Sequence, residues 1–159
     1  MSEYNSRSQP RPRSCNCQNK NSCPLDNKCL TESIVYRADV KASGTRQEQK
    51  FYIGLTCNSF KIRHSGHKSS FTHERYKDQT ALSSYIWELK GEGAEFEIVW
   101  SIVRKVSAHR PGDKICALCL AEKVEILKGS NDPTRCLNKR TELFSKCRHR
   151  NRNVLGAVM

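Results

Sequence analysis

The sequence predicts an α+β domain: a small three-stranded, mostly antiparallel sheet flanked by helices, preceded by a cysteine-rich segment. Three observations carry this. Two β-branched and aromatic runs, Ser33-Ile34-Val35-Tyr36 and Phe51-Tyr52-Ile53, flank the turn-forming cluster Ser43-Gly44-Thr45. Residues 95–104 alternate, with Phe96, Ile98, Trp100 and Ile102 on one face. Between and after these runs lie stretches with helical apolar spacing and recognisable start and stop residues.

Taken in order, residues 1–14 are Ser, Arg, Pro and Asn with almost nothing apolar, the composition of a disordered basic arm. Residues 15–30 hold Cys15, Cys17, Cys23 and Cys29, with Pro24 and Asn27 supplying turns. The main domain, 31–140, opens with strands near 32–42 and 46–56. Tyr36 and Tyr52 each stand eight residues from Gly44. A hairpin turning there sets them directly opposite on one face, with Cβ atoms roughly 5 Å apart. Ser59 is a candidate N-cap for a helix to about Lys68, on which Arg63 and His67 are one turn apart and share a face. After a polar loop, 69–79, Thr80 caps a helix ending at Gly91, with Leu82, Ile86 and Leu89 as its buried stripe. The 95–104 strand, a Pro111-Gly112 loop and a helix from about Lys114 to Lys128 follow, stopped by Gly129. Past Pro133 comes a short segment with Leu137-Asn138, then a last helix near 140–147; 141–159 forms a basic C-terminal helix and tail.

The composition narrows the function. The 159 residues suffice for one domain of about 100–130 residues plus tails. Twenty-eight Lys and Arg against 16 Asp and Glu leave a net charge of +12, the footprint of a nucleic-acid binder; a basic protein surface, or contact with anionic membrane, is the blander reading. No stretch approaches the ~20 apolar residues of a membrane helix. The opening Met1-Ser2-Glu3-Tyr4-Asn5 lacks an apolar signal core. Nine cysteines, an odd count without a secretion signal, favour thiols and metal ligands over a disulfide framework. The expectation is therefore an intracellular protein, nuclear or cytoplasmic.

For such a partner the chemistry to look for is phosphodiester cleavage, which needs an activated water, neutralisation of the phosphate and stabilisation of the leaving oxygen. Glu122 shares a helical stripe with Leu118 and Ile126 and so points toward the domain body, where one carboxylate suffices for Mg²⁺ or Mn²⁺ completed by water and phosphate. Read by periodicity alone it is equally a surface glutamate. Arg63 has the planar fork that grips phosphate, although any single arginine here is by default a surface charge. Tyr36 and Tyr52 are either ordinary sheet aromatics or, beside an arginine, phenols that orient a water. His67 is a proton relay, a second phosphate contact or a structural histidine.

The chain resembles the GIY-YIG nuclease family. Ile34-Val35-Tyr36 stands where the family has Gly-Ile-Tyr, and Tyr52-Ile53-Gly54 matches the second motif outright. Leu55-Thr56, Phe60, Arg63 and His67 then follow the family's run into its first helix. Leu118-Cys119-Leu120-Ala121-Glu122 looks like the helix with the metal-binding glutamate, and Leu137-Asn138 like the terminal asparagine. The match covers roughly 32–140. Within the family the chain is most similar to the endonuclease modules of Penelope-like retroelements, through Ala81-Leu82-Ser83-Ser84-Tyr85-Ile86-Trp87, Cys116/Cys119 and Cys147-Arg148-His149-Arg150-Asn151. It departs at Ile34, where the family has glycine, and has no cysteines between the tyrosine motifs. The resemblance implies Tyr36 as general base or water-positioning phenol, Arg63 on the scissile phosphate, Glu122 as Mg²⁺ or Mn²⁺ ligand and Asn138 shaping the site. It implies a DNA substrate and, in a parent retroelement, a reverse transcriptase as partner.

The cysteines form two candidate zinc sites. Cys15, Cys17, Cys23 and Cys29 fall within fifteen residues of a segment with little apolar content, where a structural Zn²⁺ would supply order; free thiols on a loose arm are the alternative. That segment is expected to pack separately from the nuclease core. Cys116, Cys119, Cys147 and His149 would tie the last helix to the Glu122 helix, although Cys119 could equally be a small buried hydrophobe. Two functions remain: a metal-dependent DNA endonuclease, or a non-catalytic, zinc-dependent nucleic-acid-binding protein.

Overall fold

The computed structural model describes residues 13–44 and 46–147; most of the expected basic arm, and the tail with His149, lie outside the described residues. Strands β1 (Ile34–Ser43) and β2 (Glu48–Thr56) form a hairpin, followed by helices α1 (Phe60–Thr72) and α2 (Ala81–Gly91), strand β3 (Glu95–Lys105) and helix α3 (Ala117–Gly129). The sheet order is β2-β1-β3, every pairing antiparallel. An isolated parallel bridge joins Phe51 to Cys136 on the β2 edge.

Both faces of the sheet are covered, so the central strand is buried almost throughout. On one face Ile34, Tyr36, Ala38 and Val40 pack with Phe60 and Phe71 of α1 and Leu82, Ile86 and Leu89 of α2. On the other, Val35, Phe51, Ile53 and Leu55 pack with Leu118, Ala121 and Ile126 of α3. Helix α2 begins in a capping box, with Ser83 N donating to Thr80 Oγ1 and Thr80 N to Ser83 Oγ, both at 3.0 Å. Trp87 Nε1 donates to Ser70 O at 2.8 Å and ties α2 to α1.

The expected register needs correction. Tyr36 pairs with Gly54, and Tyr52 with Ala38, so the tyrosines are diagonal neighbours and not directly opposite. The hairpin is centred one residue later, which moves each partner by two positions and keeps both tyrosines on one face. The reason is steric. The Tyr36 ring lies across Gly54, where an added Cβ would come within 2.4 Å of the phenol oxygen.

Three element bounds also differ. Helix α1 runs past Lys68 to Thr72, because Phe71, one turn beyond His67, is buried and continues the helical stripe. Helix α3 starts at Ala117 and not near Lys114, since Cys116 is extended as its N-cap. In place of the last helix there is a 3-10 turn, Arg140–Phe144, closed by Lys139 N donating to Glu142 Oε2 at 2.6 Å. Five residues are too few for a stable α-helix.

Two glycine substitutions separate packing from propensity. Gly54→Ala should destabilise the protein by about 1–3 kcal/mol in urea unfolding, through the clash with Tyr36. Gly66→Ala, in α1 with nothing within 4 Å of the new methyl, should stabilise it by about 0.5–1 kcal/mol.

Candidate active site

Gly54, lacking a side chain, lets the fully buried Tyr36 reach α1. There Arg63 Nε donates to Tyr36 Oη at 3.0 Å, and the same oxygen lies 2.6 Å from His67 Nε2. Arg63 donates into the phenol, while the tautomer of a neutral His67 imidazole sets which of Tyr36 Oη and Nε2 donates in the second hydrogen bond. The surroundings favour that state. Burial, and then the charges of Arg63 and His64, push the His67 pKa down to about 3. Burial opposes the Arg63 charge, but interaction with the Tyr36 and Tyr52 hydroxyls more than offsets this and raises its pKa.

Arg63 also lines a cleft of about 420 Å³ with Tyr52, Glu122, Lys123, Glu142 and Lys146. The cleft lies at the β2 edge, where α1 and the start of α2 meet α3 and the last 3-10 turn. Three of the six expected site residues, Tyr52, Arg63 and Glu122, thus converge on it from three elements, Glu122 from a helix far along the chain from the other two. Burial, then the neighbouring Tyr36 hydroxyl, pushes the Tyr52 phenol above its ordinary value of 10.0, so Tyr52 stays a hydrogen-bond donor at neutral pH. Tyr36 and His67 stand behind the cleft wall formed by Arg63.

Asn138 works through the backbone. Its side chain accepts from Ile53 N and donates to Ile53 O, both at 2.8 Å, as a strand residue would. Phe51 N to Arg135 O at 2.9 Å and Leu137 N to Phe51 O at 2.8 Å complete this short edge, which brackets Tyr52 on β2.

Glu142 and Lys123 had no place among the residues expected from sequence. Burial pushes the Glu142 carboxyl up, opposed by hydrogen bonds from the Lys139 amide and Asn138, with the Glu122 charge adding to the rise. Lys123 is buried, with Nζ 3.3 Å from Glu122 Oε1. A helix lysine is ordinarily read as solvated, and the one signal to the contrary is that Lys123 follows Cys119 by one turn.

The cysteines collect into two groups that could hold a metal ion. The sulfurs of Cys15, Cys17, Cys23 and Cys29 all lie within 4.8 Å of one another, as do those of Cys116, Cys119 and Cys147; tetrahedral thiolate ligation, the preference of Zn²⁺, suits both groups. The expected fourth ligand of the second group, His149, lies outside the described residues.

The first group does not sit apart from the core, contrary to the expectation from sequence. Leu25 joins the main hydrophobic cluster. Lys61 N donates to Cys29 O at 2.7 Å and Phe60 N to Thr31 O at 3.0 Å. These carbonyls satisfy the first turn of α1, where Ser59 makes no side-chain cap.

Comparison with protein-family models, with curated proteins and with solved structures found no match to this chain. Among the described residues no helix is long and apolar enough to cross a membrane.

Two outcomes follow from this geometry. An unfolded His67 takes up a proton below about pH 6.5 and the folded one only near pH 3, so stability should fall as pH is lowered through that window. The slope should reach up to ~1.4 kcal/mol per pH unit and vanish above the window. Urea titrations at pH 7, 6 and 5 should show a shallower slope for His67→Phe than for wild type. Separately, replacing Cys23 and Cys29 with Ser should speed amide exchange at Phe60 and Lys61 by about tenfold, ~1.4 kcal/mol of local opening, with β3 unchanged.

Proposed function

We propose that the chain is a metal-dependent DNA endonuclease of the GIY-YIG type, a nuclease module of the kind found in Penelope-like retroelements. The observation that carries this reading is the convergence of Tyr52, Arg63 and Glu122 on one cleft, backed by the Tyr36–Arg63–His67 network. In this reading Glu122 takes a Mg²⁺ or Mn²⁺ ion, with Glu142 beside it in the cleft. Such an ion, when bound, supplies Lewis acidity and leaving-group stabilisation. Arg63, held by Tyr36, presents its fixed charge to the scissile phosphate. Tyr52 donates its phenol proton to a phosphate oxygen or to the attacking water. His67, kept neutral by burial, fixes the Tyr36 hydroxyl that in turn holds Arg63, and Asn138 holds the β2 edge in register. The thiol groups take Zn²⁺ as structural ions.

A second reading, a non-catalytic, zinc-dependent nucleic-acid binder, is favoured by one observation: Tyr36 is fully buried, with its hydroxyl engaged by both Arg63 and His67. A DNA substrate, a nuclear setting and a reverse transcriptase partner belong to the first reading and rest on the resemblance.

Purified protein should carry one or two zinc equivalents by elemental analysis and still need added Mg²⁺ or Mn²⁺ to nick supercoiled plasmid. Arg63→Ala and Glu122→Ala should each lower the nicking rate by roughly 100-fold or more, from lost charge stabilisation of the transition state. Equal cleavage by wild type and Glu122→Ala would sink the nuclease reading. A salt-sensitive gel shift without cleavage under any divalent metal would favour the second.

A further inference from the structure

We propose that Lys123 is a positioning residue of the cleft, which clamps the Glu122 carboxylate on α3 to the Glu142–Ser145 turn across from it. The proposal rests on the nuclease reading for the use of Glu122 as metal ligand.

Lys123 is among the most deeply buried charged side chains of the molecule, with 2% of its surface accessible. A lysine head is rarely taken out of water without full compensation. Here its Nζ meets three oxygens: Glu122 Oε1 at 3.3 Å, the Glu142 carbonyl at 2.5 Å, and Ser145 Oγ. An ammonium group has three N–H donors, so each has a partner inside the protein. No donor is left over for a phosphate. That distinguishes Lys123 from a residue that touches substrate: it acts through the groups it holds.

Those groups belong to the cleft itself. Glu122, Glu142 and Ser145 all line it, on opposite walls. Glu122 and Lys123 come from α3, whereas Glu142 and Ser145 come from the closing 3-10 turn and the residue after it. Two residues further on, Cys147 returns to Cys116 and Cys119 on the same helix. The 142–147 segment is thus fastened to α3 at two points, and at one of them Lys123 also contacts the Glu122 carboxylate. A lysine that served only to hold the segment would need the Glu142 and Ser145 contacts alone. The Glu122 contact is what assigns it to the site.

The test compares Lys123→Met with Lys128→Met. The first removes all three contacts while keeping an unbranched chain in the buried space, and the second removes an exposed lysine of the same helix, paired with Glu125 at 3.2 Å and away from the cleft. Plasmid nicking is measured for kcat and half-saturating DNA, Mn²⁺ binding by electron paramagnetic resonance, and folding by circular dichroism. Lys123→Met should lower kcat at least tenfold and change Mn²⁺ affinity at least threefold, with half-saturating DNA within threefold. Lys128→Met should stay within threefold of wild type in all three. Wild-type kcat and Mn²⁺ binding in Lys123→Met would overturn the proposal, as would equal impairment of both variants. A wild type that binds Mn²⁺ without cutting removes the nuclease reading alone, and Mn²⁺ binding by the variant then decides Lys123. A wild type that binds no Mn²⁺ overturns both. If Lys123→Met does not fold, Lys123→Gln takes the same readings; failure of both to fold would make Lys123 a stability residue and overturn the proposal.

Discussion

The Tyr36 hydroxyl accepts a hydrogen bond from Arg63 Nε and shares a second with His67 Nε2, in a place closed to water. An unsatisfied buried polar group costs about 1–3 kcal/mol, so these three side chains are stable only when all are in register. That requirement fixes how α1 is rotated and how far it slides along the sheet. A residue's shift of α1 in either direction would leave a phenol, an imidazole or a guanidinium without its partner. Arg63 therefore cannot stretch out to solvent as most surface arginines do, and its charge is delivered to the cleft from a fixed point. Gly54 is part of the same constraint, since only a residue without Cβ lets the Tyr36 ring cross β2 to reach the helix.

The two thiol groups anchor opposite walls of the cleft. Through the Cys29 and Thr31 carbonyls, the first group holds the start of α1, one turn from Arg63. The second holds Cys147 against α3, one turn from Glu122. The sheet alone does not do this work. Its β2 edge is finished only by the short 135–138 segment and the Asn138 side chain, a pairing too brief to position a helix. In a small domain, a metal ion held by either thiol group would add rigidity there in place of a larger core.

Much of this was legible in the sequence because it is periodic. The alternation in β3 and the capped stripe of α2 sit where the pattern put them, and Thr80 caps through its side chain as its residue type suggests. The order of elements and the shared face of Tyr36 and Tyr52 follow from the same local rules. What was not legible depends on contacts between distant segments. The true register turns on the fit of the Tyr36 ring over Gly54, eighteen residues away. The cap of α1 comes from Cys29 and Thr31, not from the adjacent Ser59. Glu142 and Lys123 carry no periodic signature at all, because a five-residue 3-10 turn has no stripe and a helix lysine is read as solvated.

The charges show how an excess of base and a carboxylate-bearing cleft can serve one end. At a net +12 the surface can draw in a polyanion without any contribution from the cleft. Inside the cleft the balance is different. Arg63 Nε is engaged with Tyr36 and Lys123 faces Glu122, while Lys146 also lines the cleft, so two of its three basic groups hold partners within the protein. Glu122 and Glu142 would repel a phosphate approaching along the cleft; the Glu142 pKa is raised by burial first, with the Glu122 charge a lesser cause. For the proposed nuclease, a divalent cation would offset the two cleft carboxylates and let a phosphate approach them. The same arrangement separates the two kinds of metal by ligand chemistry: soft thiolates at the anchoring ends of the helices, hard carboxylate oxygens between them.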